Sequence, residues 1–166
     1  MNKYLFPLLL ISGSAFGFDF KGIELGKVSS YEAVSNALLI QCRDEASGNV
    51  ICYGDTTIVG RPAKAYVSLN SEKIVENISV KFSPDSFENI ADGFVKKYGK
   101  AKIKNSVISN AMGAQFNQVR MSWENKDAYV QIEKYADKIN EGSLWMITTK
   151  KMDEVSERIE KNNSDI

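Results

Sequence analysis

Histidine is absent from this sequence of 166 residues, cysteine occurs twice, proline three times, and the charges of opposite sign cancel. Each shortage narrows what the chain can do. Without histidine, the side chain that most often serves as general base and metal ligand near neutral pH is missing. Serine and cysteine triads that depend on an imidazole are excluded with it. Two thiols alone cannot complete a tetrahedral zinc set, so neither a metal nor a cofactor is expected. The glycines are scattered singly, and none builds a phosphate-cradling loop. A balance of 21 basic against 21 acidic residues argues against a nucleic-acid binder or a polybasic membrane-surface protein. Beyond the first residues, no apolar run reaches the roughly 20 residues of a bilayer span.

What is present begins with a leader. Lys3 precedes the apolar run LFPLLLI, Leu5 to Ile11, and Ala15 and Gly17 place small side chains before a cut at Phe18. Residues 1–17 are therefore expected to be a signal peptide, and residues 18–166 a single exported domain. That domain is expected in the periplasm of a Gram-negative bacterium, or secreted, with no membrane insertion after cleavage. No cysteine follows the apolar run, so no lipid anchor is expected. Cys42 and Cys52 suit an oxidising compartment, where one disulfide is the default. Closing that loop is worth on the order of 3 kcal/mol. Its length is unlike the Cys-x-x-Cys spacing of a thiol oxidoreductase.

The chain between shows two changes of period. Phe18 to Val28 reads as an irregular or short extended lead-in. Ser29 and Glu32 form a capping box for a helix whose stripe is Tyr31, Val34, Leu38 and Leu39, ending near Ile40. RDEASGN then reads as a loop. From Asn49 the period falls to two: Val50–Tyr53 and Thr56–Val59 are broken at Gly54-Asp55, Ala63 to Leu69 alternates, and so does Ile74 to Phe82. A second helix is signalled over Ser83–Gly99, with Pro84 near its start, Lys96 and Lys97 in its last turn, and Gly99 after it. Its stripe is Phe87, Ile90, Ala91, Phe94 and Tyr98. A polar linker, KAKIKNSVISNAMGA, leads to three further runs: Gln118–Trp123, Ala128–Glu133 and Ser143–Thr149. Met152, Val155 and Ile159 predict a short C-terminal helix packed on the body, with KNNSDI fraying. The expected class is α+β, built of two α-β-β-β halves, about 18–82 and 83–166. An antiparallel sheet would carry the helices on one face. Two sheets abutting at an angle is the alternative.

Leu25-Gly26 before a capped helix, and Lys97-Tyr98-Gly99 closing the next, resemble small exported proteins of α-β-β-β type. The β-lactamase inhibitor protein family, two such units in tandem, is similar in order of elements. The outer-membrane-assembly lipoproteins share one unit. The resemblance implies a protein-binding module, inhibitor-like or an envelope adaptor, that meets a protein partner in the cell envelope through its exposed sheet face or a loop.

If the aliphatic residues of the strands face the helices, the opposite face holds Tyr66, Tyr129, Tyr135 and Trp145 with Arg120 and Lys64. Tyr53 joins them if the break at Gly54 preserves the register. Tyr, Trp and Arg dominate protein-binding hot spots because they bury large areas at low entropic cost. The competing arrangement puts Trp145 in the core and turns Leu144 and Met146 outward. Another lays the C-terminal helix over part of this face. The catalytic alternative is a cell-wall glycan hydrolase using paired carboxylates, drawn from Asp44, Glu45, Asp55, Glu124, Asp127 and Glu133. A subunit or chaperone of a secretion system is a further possibility.

Overall fold

A computed structural model describes residues 17–164. The expected leader lies outside the described residues, apart from Gly17. The chain opens with a small ribbon, β1 (Asp19–Phe20) against β2 (Ile23–Glu24). Helix α1 (Tyr31–Leu38) follows, then β3 (Gln41–Asp44), β4 (Val50–Ile58), β5 (Arg61–Leu69) and β6 (Val75–Phe82). A 3-10 turn at Pro84–Ser86 leads into α2 (Phe87–Tyr98). The second half runs through β7 (Lys102–Ser109), β8 (Gln115–Glu124), β9 (Ala128–Glu133) and β10 (Gly142–Thr148) into α3 (Thr149–Ser164). The class is α+β. One antiparallel sheet is ordered β3-β4-β5-β6-β10-β9-β8-β7, so each half is a meander and the halves join at β6 and β10.

Each half has one strand more than the alternation predicts. The first is β3, whose residues read as loop by pattern alone, and its counterpart is β7, whose residues read as the polar linker. Both are sheet edges, and the hairpins that hold them close alike. Glu45 N–H donates to Asn49 O at 2.8 Å and Gly48 N–H to Glu45 O at 2.9 Å; Asn110 and Gly113 repeat both bonds at 3.0 Å with Ala114 and Asn110. Gly48 and Gly113 sit at φ 80° and 82°, where a side chain would be strained. The two halves thus close their edge hairpins in the same way.

The core lies on one side of the sheet. The row Cys52, Val67, Ile78, Met146, Val130 and Trp123 crosses six strands, and Ala65, Val80, Leu144, Ile132 and Met121 form the next. Over them lie Val34 and Leu38 of α1 and Phe87, Ile90 and Ala91 of α2, all in one buried cluster. Removing one such ring, Phe87 for instance, costs about 3–5 kcal/mol in comparable cores. Trp123 also donates its indole N–H to Gly99 O at 2.9 Å, which ties the end of α2 to β8. Cys42 and Cys52 face each other across β3 and β4 and are joined by the disulfide.

Several local expectations change. Ser30, not Ser29, caps α1, its hydroxyl accepting from Ala33 N–H at 3.1 Å. Tyr31, the first residue of α1, is exposed rather than part of the buried stripe, and so is Leu39, because the helix ends at Leu38 and Leu39 turns left-handed at φ 60°. Strand β4 runs unbroken through Gly54, where Ile40 comes within 3.3 Å of the place a Cβ would occupy. Val75, expected to face away from the core, is buried because the register shifts at Ser68 and Leu69. The stripe of α3 is not packed away either: Ile159 remains 55% exposed, and Lys151, held within the helix by Glu154 at 3.1 Å, ties it to Glu76 of β6 at 3.2 Å.

Candidate functional site

The face away from α1 and α2 is set by the same register. Tyr53, Tyr66, Ser79, Trp145, Gln131 and Ser122 form one row across β4, β5, β6, β10, β9 and β8. The row beside it is Ile51, Ser68, Asn77, Ile147 and Tyr129. Four of the six predicted residues, Tyr53, Tyr66, Trp145 and Tyr129, therefore stand on one surface. The alternative that put Trp145 in the core is excluded, since Leu144 and Met146 fill it. Strand spacing places Tyr66 and Trp145 about 10 Å apart, with only Ser79 between them.

These side chains are held rather than loose. Trp145 donates its indole N–H to Asn77 Oδ1 at 2.8 Å and meets the Tyr129 ring edge-on, centroids 6.2 Å apart. Tyr129 donates its hydroxyl to Gln131 Oε1 at 2.9 Å. The Arg43 guanidinium lies 5.6 Å from the centre of the Tyr53 ring. Tyr53 and Tyr66 stay open to solvent, 55% and 39% exposed. Asn77, Ser79, Gln131 and Arg43 complete the site. The alternation of their strands sets the first three on this face, so parity alone finds them; Arg43 lies on a strand with no such signal.

A charged row borders the aromatic one: Asp55, Lys64, Lys81, Ser143, Glu133, Arg120 and Lys104. Arg120, the fifth predicted residue, belongs here, its Nε 2.9 Å from Glu133, which also accepts from Ser143 at 3.0 Å. The hydrogen bond from Lys81 to Glu141 raises the lysine's pKa against a smaller loss to burial, and Asp137 adds to the rise. An open hollow of about 340 Å³ lies among Asp55, Lys64, Lys81 and Glu141. The sixth residue, Tyr135, is apart. It follows β9, meets Phe116 at 5.7 Å, and has both backbone polar groups bound by the buried amide of Gln118.

Five of the six acids considered for hydrolysis are paired with cations. Asp44 pairs with Lys73 at 3.4 Å, Glu45 with Arg43 at 3.0 Å, Asp55 with Lys64 at 3.8 Å, Glu124 with Lys102, and Glu133 with Arg120. Asp127 lies in the turn before β9. Asp55 and Glu133 share a row but stand four strands apart, about 19 Å. Glycoside hydrolysis by a carboxyl pair needs roughly 5–9.5 Å. Among the described residues, no three acids or thiols gather as a metal site would require. No family model, curated protein or solved structure matches this chain.

Proposed function

We propose that this protein is an exported, non-catalytic binding module that holds a protein partner of the cell envelope on its aromatic sheet face. One observation carries the reading: Tyr53, Tyr66, Tyr129 and Trp145 stand together on the face turned away from α1 and α2, with Trp145 and Tyr129 fixed by Asn77 and Gln131. Fixed aromatics lose little freedom when a partner covers them, and the neighbouring row, with four basic and two acidic side chains, supplies a polar rim. Export is supported by the leader pattern and by the disulfide, which persists in an oxidising compartment. Among the described residues no helix is long and apolar enough to cross a membrane.

The test is a double substitution, Tyr129→Ala with Trp145→Ala, in protein used as bait for crosslinking in periplasmic extract. The variant should keep its cooperative melting transition and lose the partner that the parent retains. Equal retention by the folded variant would remove this surface from consideration.

A further inference from the structure

The two edges of the sheet are not alike. Strand β3 has four residues and is stapled to β4 by the disulfide, with α1 packed nearby. Short, charged or covered edges resist pairing with other chains. Strand β7 is neither short nor covered, and its charge is confined to Lys102 and Lys104 at one end. It runs for eight residues, pairs with β8 without a bulge from Lys102–Ser122 to Ser109–Gln115, and contains no proline. Its helix-side residues are Ile103, Asn105 and Val107, and no helix reaches them: Ile103 is 61% and Val107 60% exposed. Its lysines, Lys102 and Lys104, point to the aromatic side.

We propose that β7 pairs with β7 of a second copy, antiparallel, about a two-fold axis passing through Asn105. The sequence KIKNSVIS selects both the occupant and the register. A two-fold axis perpendicular to the sheet keeps like faces together, so helix-side residues oppose helix-side residues. Centred on Asn105, Ile103 of each copy faces Val107 of the other, twice, while Lys104 faces Ser106 and Lys102 faces Ile108. Centring on Lys104 sets lysine directly against lysine, and centring on Ile103 opposes Lys102 to Lys104. Centring on Ser106 places Ile103 against Ser109 and Val107 against Asn105. Only the Asn105 register among these joins the apolar pairs and keeps directly opposed positions free of like charge. The unpaired backbone groups of two edges then satisfy each other. The product is one continuous sheet with both aromatic faces on the same side. The pairing does not depend on what that face binds.

A register this specific can be trapped. Residues directly opposite in an antiparallel pair have Cα atoms about 4.5–5.5 Å apart, within reach of a disulfide. The purified protein should sediment as a dimer at high concentration. Under mild oxidation Asn105→Cys should crosslink to itself, and Ser106→Cys, which faces Lys104, should not. Ile103→Lys with Val107→Lys opposes lysine to lysine twice and should weaken self-association at least about tenfold. Both sites are exposed, so the melting temperature should hardly move. A monomer across the whole concentration range would overturn the proposal. So would crosslinking at 106 in preference to 105, or dimers indifferent to the lysines.

Discussion

Asp19 gathers more partners than any other residue near the start of the described chain. Lys97 reaches its carboxylate, Gly22 N–H donates to it at 3.2 Å, and the Tyr98 hydroxyl donates to its carbonyl at 2.9 Å while accepting from its N–H at 2.9 Å. Phe18 stacks edge-on against Tyr98 with centroids 5.0 Å apart. The lead-in is thus clamped to the end of α2. Burial pushes the Asp19 carboxyl up, but Lys97, Gly22 and Tyr98 together outweigh it and hold the pKa below its ordinary 3.8. Burial also lowers Lys97, and Asp19 and Tyr98 more than restore it. A depressed acid stabilises the fold above its unfolded pKa and loses that contribution as pH falls through the folded value. Asp19→Asn should therefore cost about 1 kcal/mol at neutral pH, a figure held low because Lys97 is half exposed. Urea unfolding should show the difference shrinking as the pH is taken below the ordinary carboxylate range. Lys97 and Tyr98 were legible as helix-end residues by position alone. Their hold on Asp19 was not, because nothing local links positions so far apart in the chain.

At the scale of elements, Gly142 marks the place where three strands crowd together. A Cβ there would strike the Phe82 ring and come within 2.9 and 3.0 Å of the carbonyl oxygens of Lys134 and Glu133. Backbone oxygens in a ladder cannot give way as a side-chain tip can. Gly142→Ala should therefore destabilise by about 1–3 kcal/mol, read as a lower denaturant midpoint. The inner strands were readable because one face is dry and the other wet, which writes a period of two into the sequence. The aromatic face followed from the same period, and Tyr53, Tyr66, Tyr129 and Trp145 came with it. Strand β7 was not readable for the complementary reason. Almost every side chain on it is exposed, so burial leaves no alternation in KIKNSVIS to find. The same holds for β3, whose few residues pass for loop. Tyr135 fails differently: it continues the parity of β9 but lies past the strand's end.

The whole molecule is two meanders meeting along one seam. Every other ladder of the large sheet joins strands that are consecutive in the chain, whereas β6 and β10 pair Phe82 with Gly142 and Asn77 with Ile147, about 60 to 70 positions apart. Closing so long a loop is costly before any contact rewards it. A chain delivered from its N-terminus first can zip β3 through β6 early. The flank of β6 that carries Ile78 and Val80 must then wait for almost the last strand to be made. Until it arrives, the half-built sheet has a sticky side, which is the hazard that holding chaperones exist to cover. Truncation before Gly142 should turn that pause into a permanent state. Such a chain is expected to scatter light and sediment as aggregate, where the complete chain stays in solution.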